Sequence, residues 1–405
     1  MPEVAEPLAL RARWVFTAAG SVLPDGVVTI AGDTIVAVGE NASGRPPGDL
    51  GNVALLPGLG NAHTHLDFSD LRAPLGKPGM PLPAWIQEVL AWRRAQPADP
   101  TAAIECGLRE SLAAGVTALG EIATPGDWTA AIRLRQEVTV FHEVLAPTAE
   151  RAAEALRVAR EFAAGENLAW RRGLSPHAPH TLTVDAFQEV VQLAARFGLP
   201  VASHVAESRE ELEYLATGGG AYRELFEGLG ITPSPCLPRP LDYLRLLAEV
   251  PRALVVHGNY LDDQEIDFLA QRRDRMTVVY CPRTHAYFGH ERYPLEQMLA
   301  TGCNVALGTD GRGSNPDLSL LEEMRHVARH YSSIAPERVL QMATVNGARA
   351  LGMEQMLGTI EPGKQANLLA VALPDRAAHD PFEALFDCDL PVAATWYRGK
   401  ELLSR

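Results

Sequence analysis

Two histidines, His63 and His65, lie two positions apart at the end of an apolar run. In an extended strand, side chains at this spacing point to the same side. Two imidazoles arranged in this way can bind one metal ion together. For an isolated pair of this kind, a solvated loop with two chance histidines would be the favoured interpretation. Further residues of ligand type end later apolar runs, however: His204, His257 and Asp310.

The position of these side chains along the chain indicates that they lie close together. Each follows four or more apolar or small residues, so each is expected to emerge at the same mouth of a parallel barrel. Three histidines and a carboxylate with one open position suit a catalytic divalent metal ion, with water as the remaining ligand. Any one histidine alone could instead cap a strand by hydrogen bonding. The set therefore predicts a metal site.

Apolar segments alternate with helical stretches between residues 58 and 350. Stretches such as 101–115 and 184–198 carry apolar residues at helical spacing and end in glycine. Eight such units predict an α/β fold of the (β/α)8 TIM-barrel type, with its active site at the carboxyl ends of the strands. The segments expected to form strands are 53–63, 116–123, 138–146, 171–178, 199–207, 252–260, 276–283 and 304–311.

Short β segments flank the barrel region at both ends. Residues 11–39 alternate in polarity between a turn at 23–26 and a turn at Asp33, and 358–373 and 392–403 show a similar pattern. We therefore expect residues 1–57 and 351–405 to form one small β-sandwich domain beside a barrel domain at 58–350. The Gly- and Pro-rich residues 217–240 predict a long loop after the fifth strand that forms part of a pocket wall.

The composition limits the class of protein. The chain has 405 residues, is 47% hydrophobic and carries a formal net charge of -14, which indicates a well-packed globular protein and disfavours nucleic acid as a partner. Five cysteines without CxxC spacing predict reduced thiols. We find neither a signal peptide nor an apolar run of membrane-spanning length, so we expect a cytoplasmic protein without a membrane partner. A homo-oligomer is compatible with this sequence.

Four motifs of the chain resemble those of the amidohydrolase superfamily. They are HTH at 63–65, SHVAES around His204, VHGNY around His257 and GTDG around Asp310. Residues 346–369 are also similar to that superfamily's return into its small β-domain. The resemblance covers nearly the whole chain. It implies one divalent metal ion per chain, held by His63, His65, His204 and Asp310, with zinc as the first choice and Fe(II) as the alternative.

The fourth strand distinguishes one metal ion from two. Binuclear members commonly bridge their metals with a carboxylated lysine there, but the three lysines, Lys77, Lys364 and Lys400, lie elsewhere. The segment SPHAPHT at 175–181 is instead similar to the SPHAPYT of mononuclear aminohydrolases, the branch of triazine hydrolase and adenosine-type deaminases. His180 replaces the usual tyrosine. The resemblance therefore implies a mononuclear aminohydrolase.

Glu207 lies three residues after His204 and matches the HxxE of purine-type deaminases. A glutamate that opens a helix is the alternative interpretation of this residue. The resemblance implies that Glu207 protonates a ring nitrogen, that Asp310 accepts a proton from water and that His257 orients this water. The reaction would be hydrolytic deamination of a purine nucleoside analogue, a small-molecule substrate, with release of ammonia.

Four residues are candidate substrate contacts. His177 follows the fourth strand and is expected to contact the ring. Arg283 and His285 stand where relatives often read CPxSN, and they would add cationic or donor groups that suit a substrate carboxylate. A solvent-facing arginine is the alternative for Arg283. Trp85 could stack on an aromatic ring, although such a residue can equally anchor the start of a helix in the core.

The run HTHLDFSDL at 63–71, the stretch 75–83 and Trp85-Ile86 resemble a group that includes the aminodeoxyfutalosine deaminases of menaquinone synthesis. The implied substrate is an adenine nucleoside analogue that bears a benzoate. Deamination of adenosine, S-adenosylhomocysteine, methylthioadenosine or guanine, and triazine hydrolysis, stay open as alternatives on the same fold. A binding module without turnover and a purely structural metal ion are the remaining competitors.

Overall fold

The computed structural model describes residues 6–20, 22–39, 41–95, 100–123, 136–165, 170–375, 380–387 and 389–404. The strands are β1 (Leu8–Phe16), β2 (Val22–Ala31), β3 (Thr34–Val38), β4 (Gly48–Asp49), β5 (Val53–Pro57), β6 (Leu59–Thr64), β7 (Val116–Ala123), β8 (Glu137–Val144), β9 (Arg171–Pro176), β10 (Val201–Val205), β11 (Ala253–His257), β12 (Met276–Tyr280), β13 (Asn304–Leu307), β14 (Leu368–Ala372), β15 (Val392–Tyr397) and β16 (Lys400–Ser404).

The helices alternate with the barrel strands and cover them. They are α1 (Leu82–Ala95), α2 (Thr101–Ala113), α3 (Ala149–Ala164), α4 (Val184–Phe197), α5 (Arg209–Thr217), α6 (Gly220–Gly228), α7 (Pro240–Leu247), α8 (Asp263–Ala270), α9 (Pro282–Phe288), α10 (Leu295–Thr301), α11 (Leu320–His330), α12 (Pro336–Ala343), α13 (Val345–Ala350) and α14 (Pro381–Phe386). None of these described helices is long and apolar enough to cross a lipid bilayer.

Eight parallel strands, β6 to β13, lie side by side in chain order. The amide of Asn61 donates to the Thr309 hydroxyl at 2.8 Å, and the backbone N–H groups of Thr309 and Asp310 donate to the carbonyl oxygen of His63 at 3.1 and 3.2 Å. These bonds join the first strand to the segment that follows the last one, so the sheet closes. The predicted (β/α)8 barrel is confirmed.

A second sheet is built from both ends of the chain, as the sequence predicts. Its order is β16-β15-β14-β5-β1-β2-β3, with β4 paired to β1, and its strands form a single hydrogen-bonded sheet. Side chains of β5 alternate between its two faces. Val53 and Leu55 enter the core of the small domain, whereas Ala54 and Leu56 join the barrel core. This alternation attaches the small domain to the barrel.

The predicted first strand, 53–63, is in fact two strands. Val53–Pro57 pairs with β14 and β1 of the small domain, and Leu59–Thr64 pairs with β7 of the barrel. Gly58 lies between them, where an added Cβ would come within 2.2 Å of the Thr117 hydroxyl. The chain therefore passes from one domain to the other immediately before the HTH motif. The domain limits 1–57, 58–350 and 351–405 stay a prediction.

Two local predictions were wrong. Residues 23–26 are not a turn, because they lie within β2 and Leu23 pairs with Val15 of β1. Residues 217–240 are not one loop, because α6 lies within them. Its apolar residues Tyr222, Leu225 and Phe226 follow helical spacing and are buried, a signal that the flanking glycines obscured. The four described cysteines are free thiols, and Cys106 among them is exposed.

Candidate metal centre

Four histidine rings converge at the carboxyl ends of the barrel strands. The ring centroid of His63 lies 4.9 Å from that of His65, 5.0 Å from that of His204 and 5.7 Å from that of His257. The Nε2 atoms of His65 and His204 are 3.4 Å apart. Asp310 completes the cluster, with Oδ1 3.6 Å from His63 Nε2 and 3.8 Å from His65 Nε2. The structure thus brings together the five ligand-type residues singled out in the sequence.

Two of these residues have an unusual backbone. His257 has φ of 66° and Asp310 has φ of 57°, both in the left-handed region. This conformation costs a non-glycine residue on the order of 1–3 kcal/mol and persists only where the surroundings impose it. The Tyr293 hydroxyl, for example, donates to the carbonyl oxygen of His257 at 2.8 Å. The turns at the ends of β11 and β13 direct both side chains to the barrel mouth.

Hydrogen bonds around the cluster fix the orientation of its members. His204 Nδ1 lies 2.9 Å from the carbonyl oxygen of His177 and donates to it, because a carbonyl oxygen can only accept. This leaves the lone pair of His204 Nε2 free to bind a metal ion. The carboxylate of Asp310 accepts the N–H of Gly311 at 2.8 Å and the hydroxyl of Ser314 at 3.0 Å.

Few hydrogen-bond donors lie near the ring nitrogens of this cluster. Burial lowers the pKa of His63, His65 and His257 well below the usual value, and that of His204 to about 4, so the four imidazoles are neutral. Both ring nitrogens of His63 are buried without a hydrogen-bond partner among the described residues. Neutral nitrogens and a carboxylate with their lone pairs converging on one point fit a divalent metal ion.

Two overlapping sets of ligand atoms lie within 4.8 Å of one another: His63 with His204 and His257, and His63 with His65 and Asp310. A ring nitrogen of His257 therefore lies within 4.8 Å of a ring nitrogen of His63, as the ligand atoms of His65 and Asp310 do. The geometry allows His257 either to bind the ion or to orient water beside it.

Glu207 leaves β10 and lies above this cluster. Its Oε1 is 3.3 Å from Nε2 of His257, and burial raises its pKa well above the usual value, with the charges of Asp310 and Glu211 acting in the same direction. A carboxyl group that retains its proton at neutral pH can donate it to a neighbouring base.

The backbone beneath Glu207 is held by a buried carboxylate. Glu211 accepts the N–H of Ala206 at 3.0 Å and that of Glu207 at 2.7 Å, and Asn259 donates to the carbonyl oxygen of Glu207 at 2.8 Å. Ala206 itself has φ of 54°. Glu211 therefore stabilises the turn that aims Glu207 at the cluster.

A cavity of about 280 Å³ opens from the cluster. Its outer wall is apolar and comes mainly from α1 and α6, with Phe288 from α9. Charged side chains also line it, and these are Arg93, Glu143 and Arg151. The side chain of Arg93 contacts Asp67 at 2.8 Å, whereas that of Arg151 forms no ion pair with a described residue. The cavity therefore joins a polar floor to an apolar outer wall.

The structure places two of the four predicted substrate contacts at this cavity. His177 and Trp85 line it, and Trp85 Nε1 donates to the carbonyl oxygen of Gly313 at 3.3 Å. Arg283 does not line it, because its guanidinium contacts Glu323 at 2.6 Å and Asp317 at 2.7 Å. An arginine engaged in this way is not available to a substrate carboxylate at the cavity.

His285 is also turned away from the cavity. It lies in α9, which begins directly after the seventh barrel strand, and its buried ring packs against Tyr280 and Tyr293. The helix begins at Pro282, so the side chains at 283 and 285 leave the barrel mouth instead of continuing the strand towards it. The expected cationic rim at this position is therefore not found.

Three charged residues that line the cavity were not predicted from the sequence. Glu143 ends β8 after an apolar run, which is the positional signal that identified the histidines, and it could have been found in the same way. Arg93 and Arg151 lie on α1 and at the start of α3, where a charged residue is usual and carries no such signal.

Comparison with known proteins places this geometry in a family. A sequence profile described as the amidohydrolase family matches residues 54–402. The chain is 32% identical to the 5-methylthioadenosine/S-adenosylhomocysteine deaminase of Moorella thermoacetica, over 87% of this chain and 82% of that protein. It is 30% identical to the aminodeoxyfutalosine deaminase of Deinococcus radiodurans, over 84% of each chain. A zinc-bound adenosine deaminase structure from Xanthomonas campestris has a TM-score of 0.76 and 26% identity, covering 98% of this chain and 93% of that one.

The substitution Glu211→Ala should destabilise the turn beneath Glu207 and, with it, the folded protein as a whole. It leaves the N–H groups of Ala206 and Glu207 without acceptors, at about 1–3 kcal/mol for each buried group. We expect the free energy of unfolding in urea to fall accordingly. Glu213→Ala, an exposed glutamate on the same helix, should change it by less than about 0.5 kcal/mol. Equal unfolding free energies for the two variants would contradict the role given to Glu211.

Proposed function

The chain belongs to the amidohydrolase family, and we propose that it is a metal-dependent hydrolase that deaminates an adenine-type nucleoside. The observation that supports this most is the position of the buried Glu207 carboxyl, which lies over the cluster of four neutral histidines and one aspartate. With this pairing, a proton donor and a metal ion could act on one substrate in the same cavity. The deaminases among its relatives support the same reaction class.

In this proposal, His63, His65, His204 and Asp310 hold one divalent metal ion. Zinc is the first choice because the adenosine deaminase from Xanthomonas campestris carries zinc, and Fe(II) suits the same imidazole and carboxylate ligands. When bound, such an ion supplies Lewis acidity that lowers the pKa of a water in the site towards neutrality.

The side chains divide the proton transfers between them. Asp310 accepts a proton from the attacking water, and the bond from the Ser314 hydroxyl keeps its carboxylate oriented. Glu207 donates a proton to the ring nitrogen beside the carbon that bears the amine, which makes this carbon electrophilic. His257, 3.3 Å from Glu207, orients the attacking water and stabilises the developing charge. After the oxygen of water has bonded to this carbon, Asp310 passes its proton to the amine, the C–N bond breaks and ammonia leaves. The proton of the new hydroxyl group returns to Glu207 as the carbonyl group forms.

The shape of the cavity favours a nucleoside with a large substituent at its 5′ position. The apolar wall of α1 and α6, with Trp85 and Phe226, suits an aromatic or thioether group. Arg151, near the same wall, is the cation that a carboxylate on this group would meet, in place of Arg283.

Aminodeoxyfutalosine, with its benzoate, is therefore the first-choice substrate, and this would give the enzyme a place in menaquinone synthesis. S-adenosylhomocysteine and methylthioadenosine are the second choice, because the deaminase of Moorella thermoacetica is named for them. Guanine and chlorotriazines are the least favoured substrates, because they present no 5′ substituent to this wall.

The substrate panel is the direct test of this proposal. Metal-loaded protein is incubated with aminodeoxyfutalosine, S-adenosylhomocysteine, methylthioadenosine, adenosine, guanine and a chlorotriazine, and ammonia is measured. We expect the highest kcat/KM for aminodeoxyfutalosine, and neither ammonia nor chloride from the chlorotriazine, whose hydrolysis at the C–Cl bond would be detected as chloride release. Preference for methylthioadenosine would replace the first-choice substrate and keep the reaction. No ammonia from any purine would contradict the proposed function.

Glu207→Gln should separate turnover from metal binding. Glutamine keeps the shape of the side chain but cannot donate a proton as an acid, so turnover should fall by on the order of 10²–10⁴-fold. The metal content, measured by mass spectrometry of the purified protein, should stay near one ion per chain. The exposed control Glu213→Gln should match the wild-type protein in both measurements. Loss of the metal from Glu207→Gln would show that this residue is a ligand and not a proton donor.

A further inference from the structure

The carboxyl group of Glu143, at the end of β8, has no hydrogen-bond partner in the part of the chain that the structure describes. The side chain of Glu143 is only 6% exposed, and it lines the cavity. Among the described residues, no donor lies within hydrogen-bond distance of its carboxylate. An unsatisfied buried polar group costs on the order of 1–3 kcal/mol, and more when it is charged. Such a group is unfavourable unless a ligand or water completes it.

The neighbour of Glu143 is a second acceptor and not a donor. His177 Nε2 lies 3.8 Å from Glu143 Oε1, beyond a hydrogen bond. His177 Nδ1 lies 3.0 Å from the Thr181 hydroxyl, which itself donates to the carbonyl oxygen of Ala178 at 3.0 Å. The Thr181 oxygen therefore accepts from Nδ1–H, so Nε2 carries a lone pair. Two acceptors thus converge on one part of the cavity.

Glu143 presents at least one acceptor oxygen whether or not its carboxyl group is protonated. Burial raises the pKa of Glu143, whereas the positive charge of Arg93 lowers it. Two adjacent acceptors without a donor between them match a ligand that presents two adjacent O–H groups.

The position of the pair along the barrel rim defines which part of a nucleoside reaches it. Strands β8, β9 and β10 are neighbours, with Glu143 opposite Ser175 of β9 and His204 on β10. The ring centroid of His177 lies 4.8 Å from that of His204, so the pair of Glu143 and His177 lies directly beside the metal cluster. The pair is therefore within reach of the sugar of a purine whose amine carbon lies at that cluster.

We propose that Glu143, together with His177, binds the 2′ and 3′ hydroxyl groups of the substrate ribose and makes the enzyme selective for ribonucleosides. This assignment rests on the proposed deamination of an adenine nucleoside. In this assignment, Glu143 binds the ribose of the substrate, away from the carbon that loses its amine. The cis-diol donates two hydrogen bonds to the carboxylate and the imidazole, and a deoxy sugar leaves these acceptors unpaired.

The test pairs each adenine ribonucleoside that the wild-type enzyme deaminates with its 2′,3′-dideoxy analogue, beginning with adenosine and 2′,3′-dideoxyadenosine. Two buried acceptors left unpaired cost enough for wild-type kcat/KM to fall by on the order of 10–100-fold for the dideoxy compound. In Glu143→Ala this ratio should shrink to within about threefold, chiefly because the ribonucleoside is used less well. Glu143→Gln, which keeps one acceptor oxygen, should give an intermediate ratio.

Glu150→Gln, an exposed glutamate on α3, serves as the matched control and should keep the wild-type ratio. A merely structural role for Glu143 would lower kcat/KM for both sugars equally and leave the ratio unchanged, which would overturn the assignment. Absence of turnover for every adenine nucleoside would instead overturn the proposed function. The two failures are therefore distinguishable.

Discussion

The mouth of this barrel is lined by buried ring nitrogens and carboxylate oxygens that have few hydrogen-bond donors near them. Four imidazoles and one carboxylate are buried together, and burial keeps the imidazoles neutral. Such a set is unfavourable unless a cation occupies its centre, because among the described residues both ring nitrogens of His63 lack a hydrogen-bond partner. The strained backbone at His257 and Asp310 adds a further cost. In our account, a bound divalent ion offsets these costs and makes the arrangement usable for hydrolysis.

The closure of the barrel and the placement of the ligands depend on the same backbone atoms. The carbonyl oxygen of His63 accepts the N–H groups of Thr309 and Asp310, so the bonds that join the ends of the sheet also position a histidine next to an aspartate. Gly308 and Gly311 allow this approach, since an added Cβ at either would lie 3.0 Å from atoms of His63 or His65. A small change in the hydrogen bonds that close the barrel should therefore displace the metal-binding side chains before it affects the rest of the fold.

The parts of the fold that could be predicted are those set by local pattern. Buried parallel strands appear as apolar runs, and a polar residue at the end of such a run marks the barrel mouth, which identified His204, His257 and Asp310. The same signal marks Glu143. The path of the chain after a strand could not be predicted in this way. Helix α9 begins at Pro282 and turns Arg283 into an ion pair, and this depends on tertiary contacts with Glu323 and Asp317.

Spatial neighbours distant in sequence were also beyond prediction. The apolar wall of the cavity combines α1 with α6, and α6 was expected to be a loop because glycines flank it. The turn beneath Glu207 depends on the buried Glu211, which looks like an ordinary charged helix residue in the sequence. These interactions decide how the site is held and which substituents fit. They follow from packing and not from local periodicity.

The most direct measurement is a crystal structure of the metal-loaded protein with anomalous data collected on both sides of the zinc absorption edge. Our account predicts one anomalous peak per chain, about 2.0–2.2 Å from ring nitrogens of His63, His65 and His204 and from a carboxylate oxygen of Asp310. The Glu207 carboxyl should lie outside the ligand set. Two peaks at the barrel mouth, or a single ion away from these histidines, would contradict it.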